Sequence, residues 1–265
     1  MAQQRSLIMK SHFCKYLIIT ALVLVLPSCG DDEVKYYNYK LEEVLPHDRG
    51  AYTQGLFFDG DRLYESTGQY GESSLREVDL KSGEVLRQID LDSTYFAEGS
   101  CNIGDDIFLL TWMERKLFVY NKSDFSLKYT FPLNREGWGV TTDGKKLYMS
   151  DGSANLYVVD PKTITDEKVL RVTLNGKPVP YINELEWIEG DIWANVYGDN
   201  AIIIINPNNG KVKGVIDCSS MLPNNLRSSE TDVLNGIAYH NETKSIYVTG
   251  KLWPRLYRIS LIERK

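Results

Sequence analysis

The chain has 265 residues and a formal net charge of −6, with 36 acidic and 30 basic side chains. An acidic balance makes nucleic-acid binding a poor hypothesis, because that function favours a basic surface. The length and only four cysteines exclude a small disulfide-stapled module and suit one large domain.

The first predicted element is an export signal over residues 1–28. Arg5, Lys10 and Lys15 precede an apolar run over residues 16–26 that is too short to be a comfortable permanent membrane span. The run ends in Leu26-Pro27-Ser28-Cys29-Gly30, which resembles a bacterial lipoprotein cleavage box. We therefore expect a lipid on Cys29, residues 29–34 as a tether, and a membrane-anchored location in the cell envelope; the alternative is an ordinary signal peptide with an incidental cysteine.

Removal of the signal takes away three cations and no acids, so the formal charge falls from −6 to −9. Of the cysteines, Cys101 and Cys218 remain once Cys14 and Cys29 are set aside. Export permits a disulfide between them, but two cysteines form no framework. Two buried free thiols are the favoured interpretation.

A repeated strand opening organises the rest of the chain, at intervals of roughly 40 to 50 residues. The five openings are Gln54-Gly-Leu-Phe, Glu98-Gly-Ser-Cys, Trp138-Gly-Val-Thr, Asn183-Glu-Leu-Glu and Asn235-Gly-Ile-Ala. Several short strands per repeat at such a period are typical of a β-propeller, whose blades surround a central channel.

The first repeat sets the plan of a blade. Asp59-Gly60 separates two apolar runs, which is a strong hairpin signal. Two more alternating segments follow, so we predict a four-stranded antiparallel meander. The last repeat lacks a fourth strand, and residues 35–44 form an alternating stretch that would complete it and cover its open edge. The sequence therefore predicts an all-β, five-bladed propeller over residues 35–265, with its last blade closed by the N-terminal strand.

One longer insertion, residues 219–231, precedes the last blade. We predict a helix within it around residues 219–222, and we expect the insertion to overhang the channel.

The variable first residue of each opening locates a site. Loops that enter first strands share one face of the ring with loops that leave second strands. This face receives the five opening residues together with four that follow second strands, namely Trp112, Asp151, Tyr197 and Lys251. Aromatic walls with a few placed polar groups are typical of a small-ligand pocket.

Some of these residues also have purely structural interpretations. Asn235 beside a glycine is favoured as a turn residue. Trp193 and Trp253 are favoured as packing between blades, and Trp138 stays open between packing and the site. Glu98 and Lys251 are harder to explain structurally, because a charge at a channel mouth carries a desolvation cost. A carboxylate there would have a raised pKa, which suits proton transfer near neutrality.

Other chemistries find no support. His47 and His240 are not paired for zinc, and no Gly-X-Ser-X-Gly elbow or phosphate-binding Gly-Lys-Ser/Thr loop occurs.

Several longer motifs, in order from about residue 50 to 262, carry a resemblance. They are Tyr52-Thr-Gln-Gly-Leu, Tyr64-Glu-Ser-Thr-Gly, Phe96-Ala-Glu-Gly, Gly137-Trp-Gly-Val-Thr-Thr-Asp-Gly, Ser150-Asp-Gly, Ile182-Asn-Glu-Leu-Glu, Trp193-Ala-Asn, Asp232-Val-Leu-Asn-Gly-Ile-Ala and Val248-Thr-Gly-Lys-Leu-Trp-Pro. Together they resemble the plant and bacterial type of glutaminyl-peptide cyclotransferase, a family of five-bladed propellers.

The resemblance implies an acyltransferase that cyclises the N-terminal glutamine of peptides or proteins to pyroglutamate and releases ammonia. It implies Glu98 as proton shuttle and Lys251 as the group that stabilises negative charge or tunes Glu98. Gln54 and Asn183 would orient the substrate, and Trp138 and Trp112 would form an apolar wall. Tyr197 stands where the plant enzyme has a tryptophan, which affects peptide preference more than the reaction.

We expect a monomer that needs no cofactor. The resemblance also allows a structural calcium in the channel, although no EF-hand loop is present. Two alternatives remain: a non-catalytic propeller lipoprotein that binds peptides or envelope proteins, and a lactonase-like hydrolase, for which the mouth has too few carboxylates.

Overall fold

The computed structural model describes residues 33–265, which form one compact unit. The predicted signal over residues 1–28 and the predicted lipid attachment at Cys29 lie outside the described residues, as does most of the 29–34 tether. Within residues 33–265, no helix is long and apolar enough to cross a membrane.

Strands make up almost all the regular structure, and they fall into five blades. The N-terminal strand is β1 (Lys35–Pro46). Blade one comprises β2 (Thr53–Asp59), β3 (Arg62–Thr67), β4 (Ser74–Val78) and β5 (Val85–Asp90). Blade two comprises β6 (Ala97–Ile103), β7 (Asp106–Thr111), β8 (Lys116–Asn121) and β9 (Leu127–Pro132). Blade three comprises β10 (Val140–Thr142), β11 (Leu147–Ser150), β12 (Asn155–Asp160) and β13 (Thr165–Arg171).

A small hairpin of β14 (Thr173–Leu174) and β15 (Lys177–Pro178) separates blades three and four. Blade four comprises β16 (Ile182–Ile188), β17 (Asp191–Val196), β18 (Ala201–Ile205) and β19 (Val212–Asp217). Blade five comprises β20 (Leu234–His240), β21 (Ser245–Gly250) and β22 (Arg255–Glu263), followed outward by β1. The first strands of the blades, β2, β6, β10, β16 and β20, contact one another in ring order, and β20 meets β2. The predicted five-bladed propeller is confirmed.

The N-terminal strand closes the ring as predicted, and it also pairs with a strand of blade four. It pairs antiparallel with β22, from Tyr37 opposite Glu263 to Pro46 opposite Arg255. Its first residues also pair in parallel with β19 of blade four, with Lys35 opposite Gly214. Blades four and five therefore form one eight-stranded sheet.

The glycines of the repeated openings permit close contact between inner strands. A Cβ atom on Gly99 would lie 2.7 Å from the carbonyl oxygen of Trp138, and one on Gly139 would lie 2.0 Å from that of Asn183. The fourth opening has Glu184 in place of glycine. Its carboxylate accepts hydrogen bonds from the backbone N–H groups of Ile237 and Leu56, at 2.9 and 3.4 Å.

The insertion before blade five differs from the prediction. The helical turn is a short 3-10 helix at Asn224–Leu226, and residues 219–222 form turns instead. Met221 and Leu222 are buried in the same apolar cluster as Trp253. Burial of these two side chains holds residues 219–222 in place without a regular helix. Helix propensity is a weak preference that such packing overrides.

Both cysteines predicted as thiols are buried and free, as expected. Trp193 and Trp253 lie in one buried cluster, which also agrees with the packing role predicted for them.

A buried ionic cluster joins the N-terminal segment to blade one. Glu65 accepts hydrogen bonds from Arg76 Nη2 at 2.8 Å and from Thr53 Oγ1 at 2.6 Å, and its Oε1 lies 3.0 Å from His47 Nε2. Burial would raise the pKa of Glu65, but the charges of Arg76 and His47 outweigh it and hold that pKa well below the usual range. Because the pKa is lower in the folded chain, this stabilisation is complete at neutral pH and is lost only in strongly acidic solution.

Glu65→Gln is therefore expected to lower the free energy of unfolding by about 3–5 kcal/mol at neutral pH, because Arg76 would keep a buried charge without its main partner. Urea denaturation measures the change. Glu263→Gln is the matched control, since its pairing with Lys35 is solvent-exposed. Equal stability of the two variants would contradict the assignment.

Candidate active site

A cavity of about 350 Å³ lies where the inner strands begin. Its lining residues are Tyr52, Gln54, Gln69, Phe96, Glu98, Trp112, Trp138, Asn183, Tyr197 and Lys251. All seven residues predicted to form the catalytic and substrate-binding site are among them. Asp151 is not, because its carboxylate accepts hydrogen bonds from Tyr157 and Ser153 instead.

The blade plan explains this convergence. Gln54, Glu98 and Asn183 are each the second residue of an inner strand, so they occupy equivalent places around the ring. Trp112 and Lys251 directly follow second strands, which return to the same face. The ring therefore gathers distant segments of the chain at one mouth.

Glu98 is the buried carboxyl group of the cavity, with 5% of its surface exposed. Burial raises its pKa well above the ordinary value, and the charges of Glu136 and Glu114 raise it further. The charge of Lys251 acts in the opposite direction and lowers that pKa. A carboxyl group with a raised pKa holds its proton more firmly than an exposed one and is a stronger base once ionised.

Lys251 is the buried amine of the cavity, with 3% of its surface exposed. Its Nζ atom lies 4.7 Å from the ring centroid of Tyr52 and 5.3 Å from that of Tyr197, so two aromatic faces support the ammonium group. Burial lowers its pKa, against the charges of Glu98 and Asp232.

Asp232 forms hydrogen bonds with both Tyr52 and Lys251. Its Oδ2 atom accepts a hydrogen bond from the hydroxyl of Tyr52 at 2.9 Å, and burial together with this bond raises the pKa of Tyr52. Its backbone N–H also donates to the carbonyl oxygen of Lys251. Asp232 thus holds the side chain of Tyr52 and the backbone of Lys251 in place.

The amide side chains offer complementary groups. Asn235 Nδ2 donates to the carbonyl oxygen of Thr53 at 2.9 Å and to Gln54 Oε1 at 3.3 Å. With Oε1 engaged, the Nε2 group of Gln54 is the end available to a ligand. Asn183 Oδ1 is buried and has no hydrogen-bond partner among the described residues. An unpaired buried acceptor is costly, so it suits an N–H donor from a ligand.

Asn235 itself does not line the cavity. Its contacts with Gln54 and the backbone agree with the structural role predicted for it.

One carboxylate holds both tryptophans of the wall. Glu136 Oε2 accepts hydrogen bonds from Trp112 Nε1 at 3.0 Å and from Trp138 Nε1 at 3.1 Å. Trp138 also meets Tyr197 edge to face, with ring centroids 5.9 Å apart. Trp138 therefore lines the cavity, one of the two places that the sequence left open for it.

Sequence reasoning missed several members of the site. Tyr52 and Phe96 line the cavity, and Glu136 supports it, although none was predicted as a site residue. Each lies two positions before an opening residue, where side chains on an extended segment point to the same side. That spacing is the signal that could have identified them. Gln69 lies in the loop after β3, and no comparable pattern indicates it.

The fold and the cavity together define a β-propeller with an enzyme-type pocket at one face. The chain matches the family model of glutamine cyclotransferase over residues 15–261 and belongs to that family. It is similar to a glutaminyl-peptide cyclotransferase of Arabidopsis thaliana, with 44% identity over 223 residues that cover 82% of this chain and 69% of that protein.

One solved structure agrees with this assignment, and a second shares the fold. The crystal structure of Myxococcus xanthus glutaminyl cyclase superposes with a TM-score of 0.82 and 34% identity, covering 88% of this chain and 100% of that one. The WD40 propeller domain of Doa1 has a TM-score of 0.52 and 13% identity, covering 84% of this chain and 97% of that one. The second likeness concerns the fold alone.

Proposed function

We propose that this chain is a glutaminyl-peptide cyclotransferase, which converts an N-terminal glutamine to pyroglutamate with release of ammonia. The observation that carries the proposal is the buried Glu98 carboxyl, which shares one cavity with Lys251, Gln54 and Asn183. Membership of the glutamine cyclotransferase family supports the same reaction.

The reaction requires a proton to leave the attacking α-amine nitrogen and a proton to reach the departing amide nitrogen. The free α-amine of the substrate attacks the γ-amide carbon, and the new C–N bond closes the ring. Glu98 accepts a proton from the attacking nitrogen. It then donates that proton to the side-chain amide nitrogen, as the original bond between this nitrogen and the γ-carbon breaks and ammonia leaves. One carboxyl with a raised pKa suits both transfers.

Lys251 and the amides hold and polarise the substrate in this proposal. The amide oxygen becomes negative as the amine attacks, and a nearby ammonium stabilises that charge. The unpaired Oδ1 atom of Asn183 accepts an N–H of the substrate, and Gln54 Nε2 donates to an oxygen. These contacts keep amine and amide carbon together, which favours ring closure.

The aromatic wall limits water in the cavity. Trp112 and Trp138 present their rings while their N–H groups are occupied by Glu136. Exclusion of water favours attack by the α-amine over hydrolysis of the amide.

The proposed reaction has no step through a metal. Calcium takes about six to eight oxygen ligands, commonly with several carboxylates. Across residues 33–265 there is no group of three or more His, Cys, Asp or Glu side chains that could hold a metal ion. A calcium in the channel would therefore need backbone carbonyl or side-chain amide oxygens among its ligands.

The direct test is ammonia release from a glutaminyl peptide by the purified protein in the presence of a chelator. The expected result is saturable release well above the spontaneous rate. An Nα-acetylated copy of the peptide is the matched control, because its blocked amine cannot attack. Equal release from both peptides would indicate an amidase, and saturable binding without release would favour a peptide-binding propeller.

Glu136→Gln is expected to shift the acid side of the kcat/KM profile to lower pH. The negative charge of Glu136 raises the pKa of Glu98, so its removal lowers that pKa and keeps the carboxylate available in more acidic solution. The glutamine oxygen can still accept both indole hydrogen bonds. An unchanged or oppositely shifted profile, measured with the same substrate, would contradict this role.

We also propose that the protein is exported and anchored in the cell envelope as a monomeric lipoprotein that acts on exported peptides. The apolar run over residues 16–26 and Cys29 at its end support this location. Cys29→Ser is expected to abolish incorporation of a labelled fatty acid. Retained label would reject lipidation at this residue.

A further inference from the structure

A shallow groove of about 480 Å³ lies beside the cavity, between the β14–β15 hairpin and the loop after β17. Its lining includes Leu174, Pro178, Val179, Pro180, Tyr181 and Tyr197. Tyr197 also lines the cavity, so the two hollows share one aromatic wall. Lys177 and Asp199 also line the groove, and the rest of its lining is mainly apolar and aromatic.

The groove is built from fixed backbone. Val172 and Thr173 donate hydrogen bonds to Ala154 and Gly210, which ties the hairpin to blade three and to the β18–β19 turn. Val179 donates back to Val172. A preformed groove binds an extended peptide without a large ordering cost.

Tyr181 is the unusual residue of this groove. It has a φ of +63°, although side chains as large as tyrosine rarely adopt this conformation, and 57% of its surface is exposed. Hydrogen bonds from Tyr181 N–H to Gly152 and from Tyr197 N–H to Tyr181 hold it there.

Its place in the repeat gives independent support. Tyr181 lies two positions before Asn183, as Tyr52 and Phe96 lie two positions before Gln54 and Glu98. Tyr52 and Phe96 line the cavity. Tyr181 instead lines the groove together with Tyr197, and it is not among the residues that line the cavity.

We propose that this groove binds the second and third residues of the substrate peptide and favours apolar or aromatic side chains there. The inference rests on the proposed function. An extended peptide advances about 3.5 Å per residue, so these residues lie within roughly 7–10 Å of the glutamine. A chain that leaves the cavity past Tyr197 therefore reaches the groove at once, and Tyr181 and Tyr197 offer rings for its side chains to pack against.

The test compares kcat/KM for glutamine amide, a Gln-Phe-Leu amide and a Gln-Gly-Gly amide. The wild-type protein is expected to favour the apolar peptide over the glycine peptide by about tenfold or more, mainly through KM. Tyr181→Asn removes the ring and keeps a residue that tolerates positive φ, and it should reduce this ratio several-fold. Tyr129→Asn, an exposed tyrosine on the outer strand of blade two, is the matched control and should leave the ratio unchanged.

Pro180→Glu provides a second variant that does not depend on Tyr181. Its carboxylate should shift preference toward a Gln-Lys-Lys amide. Turnover of glutamine amide without any peptide preference, or a ratio that neither variant changes, would overturn the subsite and leave the groove to another occupant, such as a second copy of the chain. Absence of turnover with glutamine amide and both peptides would overturn the proposed function and the subsite with it.

Discussion

Glu98→Gln is expected to reduce kcat by about 10²- to 10⁴-fold, the range that general acid–base catalysis supplies. Glutamine has the same shape but cannot accept the proton of the attacking amine or return it to ammonia. The fold should be preserved, because burial already disfavours the charged form of this carboxyl. Steady-state ammonia release and urea denaturation measure the two effects.

Glu84→Gln is the matched control, since Glu84 is exposed in the turn between β4 and β5. It should retain wild-type turnover. Turnover by Glu98→Gln near the wild-type rate would reject the proton shuttle, whereas loss of turnover together with loss of folding would reject a purely chemical role.

Lys251→Met is expected to reduce kcat by roughly 10²- to 10³-fold, similar to removal of one group that stabilises a developing oxyanion. It should also shift the acid side of the kcat/KM profile to higher pH. The sign follows from the positive charge of Lys251, which lowers the pKa of Glu98. Without that charge, the Glu98 carboxyl retains its proton to a higher pH.

Lys81→Met is the control for this variant, because Lys81 is exposed and pairs with Glu43 outside the cavity. The opposite pH shifts of Lys251→Met and Glu136→Gln form one test of the electrostatics around Glu98. Shifts in the same direction for both variants would contradict the account.

The blade architecture follows from local patterns in the sequence. Alternation and the Asp59-Gly60 turn define strands, and the five openings set the number of blades. The pairing of β1 with β22 could be predicted because blade five lacks a fourth strand. The parallel pairing of β1 with β19 could not, because blade four already has four strands of its own. The β14–β15 hairpin was also missed, since its strands have two residues each and carry no measurable alternation.

The site was predicted where one repeat position varies in chemistry. Gln54, Glu98 and Asn183 follow from that position, and Lys251 follows from the return of second strands to the same face. Glu136 was not predicted, although its place two positions before Trp138 offers a spacing signal. Asp232 has no such signal, because its contribution depends on a tertiary contact with Tyr52.

Mass spectrometry of a peptide with an N-terminal glutamine tests the central claim most directly, with the wild-type protein and Glu98→Gln incubated in parallel under chelation. The account predicts that the wild-type protein converts the peptide to a product lighter by one ammonia, and that Glu98→Gln leaves it near the spontaneous level. Equal conversion by both proteins, or no conversion by the folded wild-type protein, would contradict it.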